Sequence, residues 1–254
     1  MIGAGAIDWT LYAVGIPAVV FAGVSKGGFG SGAAFASASI LALVVEPGVA
    51  LGLMLPLLML IDVATLKPYW KRWCWPDARL LLMGAVPGVV LGAALYRMAD
   101  PDVFRLLIGV ISVGFVVWQA ISRAGMIRLR GHEMPRWAGG LAGLVAGFTS
   151  FVSHAGGPPA AVYLLSRNLE KTAFQATTVL LFWLVNLVKF IPYAFLGIFT
   201  VQTVVMDMLL APFALVGAWL GVKAHSVVPE AVFFGITYVL LTVTGVKLIW
   251  DGIT

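Results

Sequence analysis

The 254-residue chain is predicted to be an all-α polytopic membrane protein. Two inverted-topology repeats of about five membrane segments each are expected, with broken or re-entrant helices at the start of each repeat. Three observations predict this class: an extremely apolar composition, an internal duplication, and short basic loops that alternate with loops lacking Lys and Arg.

Composition sets the solvent. The chain is 61% hydrophobic and 11% charged. A soluble protein of this length could not solvate that much apolar surface. Ten segments of about 20 residues would occupy about 200 positions, which leaves only short loops and no room for a soluble catalytic domain. The net charge of +5 comes from residues that punctuate apolar segments and form no basic domain, so no nucleic-acid partner is expected. The single cysteine, Cys74, excludes an intramolecular disulfide and a Cys-based metal site, and no role is expected for it. No cofactor and no metal are called for. The amino terminus lacks a positively charged n-region, the first Lys being Lys26, so the first apolar stretch reads as a retained membrane segment.

The duplication is visible without gaps. Ala22–Tyr69 aligns with Ala146–Tyr193 at an offset of 124, with ten identities in 48 positions. They include Gly23/Gly147, Gly32/Gly156, Glu46/Glu170, Pro68/Pro192 and Tyr69/Tyr193. Duplicated membrane chains of this kind are the expected sequence form of a transporter built from two repeats. Repeat 1 covers residues 1–122, a basic cytoplasmic linker 123–136, and repeat 2 residues 137–254.

The apolar segments fall at about 8–25, 31–45, 48–66, 78–97 and 103–122, then 137–153, 157–166, 172–196, 203–222 and 231–250. The second segment of each half is short and follows a Gly-rich break, so it either crosses as a half-helix or forms a re-entrant hairpin with the first. Loops 67–79, 123–136, 167–171 and 223–230 carry Lys or Arg, including Arg128 and Arg130; the turns at 45–48 and 197–202 carry none. Placing the basic loops in the cytoplasm makes every segment alternate and puts both termini outside, in a cell (inner) membrane. Each half then crosses three or five times. Both numbers are odd, so the second half is inverted relative to the first. Tyr69, Trp70, Trp73, Trp75, Trp137, Tyr193 and Trp250 sit at segment ends, as interfacial aromatic belts do. Gly88–Gly92, Gly139–Gly143–Gly147 and Gly217–Gly221 have the small-residue spacing of close helix packing.

Two breaks carry the chemistry. The first, Gly23–Gly32, holds five glycines around Ser25, Lys26 and Ser31. Each Gly costs a helix about 1 kcal/mol against Ala, so an unwound backbone is expected whose N–H groups form an anion nest around Lys26. The second runs from Thr149 to Pro159 and includes Ser153, His154, Gly156, Gly157 and Pro158. A Gly-Gly turn there should hand over to a Pro-opened helix, whose first N–H groups and dipole favour an anion.

These motifs and the duplicated architecture resemble the TauE/SafE family of sulfite and organosulfur-anion exporters over nearly the full length. The match rests on Ser25–Gly32, on Gly156-Gly157-Pro158-Pro159 and on the short basic loops. It departs in the first copy, where Ala34-Phe35 stands in place of the Pro-Pro opening. The resemblance implies secondary export of a small anion, most readily sulfite or an organosulfonate, with no ATP-hydrolysing domain on the chain.

The candidate substrate-binding residues are therefore Ser25, Lys26, Gly27, Gly28, Gly30, Ser31, Ser153, His154, Gly156, Gly157, Pro158, Asn186 and Lys189. Asp62 and His154 are candidate coupling residues, and H⁺ and Na⁺ are both allowed as coupling ions. An intramembrane Lys costs roughly 2.5–3.5 kcal/mol on insertion scales, which an anionic ligand would offset. Each residue also has a structural alternative: Lys26 snorkelling to an interface, His154 packing, Asp62 pairing with Lys67, Glu46 and Glu170 solvated or capping. The partners expected are a small anion and the lipid bilayer; a homo-oligomer is allowed. A channel or a subunit of a larger complex is the alternative function. An intramembrane hydrolase is remote, because Ser31 and His154 are the only tempting pair and Asp62 is read as standing alone, without a second intramembrane aspartate.

Overall fold

The computed structural model describes residues 9–29, 33–124, 133–224 and 230–254. Among them every regular element is helical. The elements are α1 (Trp9–Val24), α2 (Ala36–Leu41), α3 (Pro47–Leu66), α4 (Trp75–Met98), α5 (Pro101–Arg123), α6 (Arg136–Ser153), α7 (Gly157–Ser166), α8 (Lys171–Phe195), α9 (Val201–Ala224) and α10 (Glu230–Ile253). Among the described residues seven stretches are long and apolar enough to cross a membrane: Thr10–Phe29, Pro47–Tyr69, Trp75–Met98, Pro101–Arg123, Lys171–Phe195, Val201–Lys223 and Ala231–Ile253. The molecule is a multi-pass membrane protein. Its outward faces expose Val90, Met208, Trp219, Val239 and many other large apolar side chains, as contact with lipid requires.

Helix boundaries follow local chemistry. Proline stands in the first turn of α3, α4, α5 and α7, where its missing N–H breaks no hydrogen bond. Glu46 and Glu170 occupy the N-cap positions of α3 and α8, and neither side chain makes a capping bond. α6 stops at His154, whose φ of 56° lies in the left-handed region.

The closest packing is between α4 and α6, between α5 and α10, and between α1 and α9. α3 lies against both α8 and α9, and α4 also packs on α8. Small residues make these approaches close. A Cβ on Gly147 would stand 2.1 Å from the Ala85 carbonyl oxygen, and one on Gly23 2.6 Å from the Ala218 nitrogen.

Four expectations are corrected. The 31–45 segment is helical only over α2, with turns on either side of it. The first break does not unwind at residues 25–29: Ser25–Phe29 continues α1 as a π-helical turn. Its glycines serve packing, since a Cβ on Gly28 would lie 2.2 Å from the Gly221 carbonyl oxygen. Tyr193 is not interfacial. It is fully buried and donates its hydroxyl to the Phe151 carbonyl at 2.7 Å, because Pro192 lies inside α8 whereas its counterpart Pro68 sits in a 3-10 turn after α3.

Candidate functional site

The polar residues that differ between the two aligned segments are drawn together in the core. At the end of α1, Lys26 forms an ion pair with Asp62 on α3. Asn186 Nδ2 on α8 donates to the other oxygen of Asp62 at 2.8 Å. Asp62 and Asn186 are 124 residues apart, which is the offset of the duplication. One turn further along α8, Lys189 Nζ donates to the Ser150 carbonyl oxygen at 2.8 Å and to Ser150 Oγ at 3.1 Å. It also contacts His154 Nδ1 at 2.8 Å. His154 Nε2 lies 3.3 Å from the Leu51 carbonyl oxygen. A carbonyl accepts and an ammonium donates, so the imidazole is neutral with its proton on Nε2. The Tyr193 ring closes the group, 5.8 Å from Lys189 Nζ.

Every member is buried. Asp62 and Lys189 are 0% exposed, Lys26 4% and His154 7%. The Lys26 charge is balanced by Asp62. The three hydrogen-bond partners of Lys189 are all uncharged, so with Lys189 protonated the cluster has one positive charge in excess. Such a charge is costly in a dry interior, and hydrogen bonds, the Tyr193 ring and the Asp62 carboxylate offset it here.

A second feature lies along α7. A cavity of about 200 Å³ runs along α7 and is lined by Gly157, Pro158, Gln119, Ser122 and Thr178. It shares Phe29, Leu165, Phe174 and Phe234 with a neighbouring space of about 440 Å³, which reaches Tyr69, Lys171 and Gln175. Gly157 and Pro158 begin α7, so its first turn borders the cavity.

The predicted residues are thus placed as follows. Lys26, His154, Asn186 and Lys189 join the buried cluster with Asp62, while Gly157 and Pro158 line the cavity. Ser25 and Gly27 are buried in the π-helical turn. Gly28 lines the outer space. Gly156 packs against α6 and Phe182. Ser153 Oγ bonds back to the Thr149 carbonyl oxygen. Gly30 and Ser31 lie outside the described residues.

Sequence reasoning missed Ser150, Leu51 and Tyr193. Ser150 was findable as the counterpart of Lys26; Leu51 acts through its carbonyl and leaves no side-chain signature. Asp62 is also not the only acid in a membrane helix. Asp207 on α9 is 8% exposed beside Pro56, Leu57 and Phe190, and Asp77 lies in the first turn of α4. Asp77 accepts from Tyr163 at 3.0 Å, from Arg167 at 3.2 Å and from Cys74 Sγ at 3.1 Å. Cys74 therefore has a structural role, reinforced by its backbone N–H donating to Thr177 Oγ1 at 2.9 Å. Neither snorkelling of Lys26 nor pairing of Asp62 with Lys67 occurs; the two pair with each other.

No curated protein and no solved structure matches the chain. A family description does: that of the sulfite exporter TauE/SafE, over residues 15–248. The chain belongs to the TauE/SafE sulfite exporter family, a family of membrane transporters.

Proposed function

We propose that this protein is a secondary transporter that exports sulfite or an organosulfonate from the cytoplasm, with the anion drawn to Lys189. The observation that carries the reading is a fully buried ammonium whose hydrogen-bond partners are all neutral. An anion arriving at the first turn of α7 would supply the missing counter-charge, and the helix dipole there adds to the attraction. Lys26 and Asp62 neutralise each other, so the counter-charge the site lacks is the one at Lys189. Gly27, Gly28, Gly156 and Ser153 act as scaffold, and Asn186 ties the two halves together.

The basic ends of the helices are assigned to the cytoplasm, with both termini outside, in the inner membrane. Lys171 lines the space beside the α7 cavity, so an anion entering there meets positive charge first. No coupling ion is required for export: an inside-negative potential favours a departing anion by about 2.3 kcal/mol per charge per 100 mV. Asp62 and His154 are engaged by Lys26, Asn186, Leu51 and Lys189, which favours this uncoupled mode over proton carriage.

The helix pairings support two inverted repeats. Shifting each helix by 124 residues turns α1 into α6, α2 into α7, α3 into α8, α4 into α9 and α5 into α10. Under that exchange the α1–α9 packing becomes α6–α4, α3–α9 becomes α8–α4, and α5–α10 and α3–α8 map onto themselves. Asp62 bonding its own counterpart Asn186 fits an axis passing between them.

The test is flux through purified protein in liposomes, with sulfite, thiosulfate and sulfoacetate supplied in turn under an imposed potential. Saturable flux of at least one anion that falls at least tenfold in Lys189→Met supports the proposal. Wild-type flux left intact by that substitution overturns the site.

A further inference from the structure

The two halves of the molecule are not in the same state, and the difference marks a second access path. In the second half, α7 packs on α6 and α8, and the cavity separates it from α5 and α10. In the first half, the counterpart α2 is docked on both α10 and α5. Exposure follows the same asymmetry. Pro158, Ala161, Val162 and Phe174 are half-buried along the cavity, and Leu165 is exposed. Their counterparts 124 residues earlier, Ala34, Ser37, Ala38, Ala50 and Leu41, are all buried, none above 4%.

Two contacts hold the first half shut. Ser39 Oγ on α2 lies 3.1 Å from Ser112 Oγ on α5, and the Phe35 ring meets Phe115 edge-on at 5.3 Å. An independent sign of a hidden path is Ser37 Oγ, fully buried and without a hydrogen-bond partner. An unpaired buried hydroxyl costs on the order of 1–3 kcal/mol and calls for an explanation. Its counterpart Ala161 faces the cavity.

We infer that the anion leaves by an outer path between α2 and the α5–α10 pair, lined by Ala34, Ser37 and Leu41, and that this structure holds that path closed while the α7 side is open. The α5–α10 pair maps onto itself under the repeat exchange, so it is the unit that can dock on α2 or on α7. Docking on α7 would close the inner cavity, break the Ser39–Ser112 and Phe35–Phe115 contacts, and admit water to Ser37. The inference rests on the transporter reading and on the inverted repeat.

The test is a reversible lock. In a Cys74→Ser background, Ser39→Cys and Ser112→Cys are introduced together and oxidised with copper phenanthroline in proteoliposomes. Sulfoacetate is the cargo, because sulfite itself cleaves disulfides. Oxidation is expected to reduce flux at least tenfold and a reductant to restore it. A separate single variant, Ser37→Cys, should react with an impermeant maleimide from the outside at least fivefold faster during sulfoacetate flux than at rest. Full cross-linking with unchanged flux, or Ser37→Cys labelling that is indifferent to flux in an active variant, overturns the outer path and leaves the transporter reading standing. Wild-type protein that moves none of the anions offered removes the transporter reading itself.

Discussion

Substituting Asp62 by Ala tests the electrostatics of the core most simply. The carboxylate is 0% exposed and bonded on one side to Lys26 and on the other to Asn186. Removing it leaves the Lys26 ammonium buried without a counter-charge, and breaking a buried pair from one side costs about 3–5 kcal/mol. Asn186 also loses its acceptor, which costs on the order of 1–3 kcal/mol. The two losses share one site and do not add fully, so a net destabilisation of about 4 kcal/mol is expected. At this chain length 1 kcal/mol moves a melting temperature by about 2–4 °C, giving a fall on the order of 10 °C in detergent. The double variant Lys26→Met/Asp62→Ala removes both charges and should recover much of that loss, because an apolar replacement of a buried pair is often neutral. Thermal unfolding of wild type, both single variants and the double variant closes the cycle. If Asp62→Ala melts within about 2 °C of wild type, or if the double variant is no better than the singles, the pair is not desolvated and the reasoning fails.

Three further outcomes follow from the same geometry. Gly147→Leu places a side chain where even a Cβ would sit 2.1 Å from the Ala85 carbonyl oxygen, so α4 and α6 must separate; folded yield after membrane extraction should fall severalfold, whereas Gly140→Ala, with open space around it, should not alter yield. Asp77→Ala removes the acceptor shared by Tyr163, Arg167 and Cys74 and should lower stability by about 2 kcal/mol, read as a melting shift and as faster proteolysis after Arg167. Burial and the hydrogen bond to Asp77 push the Cys74 thiol up, so its thiolate is scarce at neutral pH; maleimide labelling should be slower than that of a free thiol and rise about tenfold per pH unit up to and beyond pH 9, and a plateau below pH 9 would contradict this environment.

Much of the fold was legible because a bilayer leaves few options. Runs of apolar residues broken by Pro, Gly and basic loops located nine of the ten helices closely, since any spanning backbone must bond within itself. α2 was overestimated because Ala-, Ser- and Leu-rich sequence reads as a membrane segment whether or not it stays helical. The first break misled for a related reason: five glycines are equally suited to an unwound loop and to a helix pressed against a neighbour, and contact with α9 at Ala218 and Gly221 is invisible in sequence. At the site, Lys26, Asp62, Asn186, Lys189 and His154 stood out as polar residues where the two copies disagree. What could not be read was their pairing. That Lys26 takes Asp62, leaving Lys189 to neutral partners, depends on the crossing of α1, α3, α6 and α8. Asp207 escaped notice because a single acid in a long apolar run looks like its lipid-facing neighbours until burial is known.

The most direct test of the central claim is flux of sulfite through Lys189→Met set against Lys189→Arg in liposomes under an inside-negative potential. The Arg variant retains the charge and some donors toward Ser150, whereas the Met variant retains only the volume. Loss of at least tenfold in Lys189→Met, with partial flux kept in Lys189→Arg, is the predicted result. Equal flux in wild type and Lys189→Met would show that the buried ammonium is not what recruits the anion.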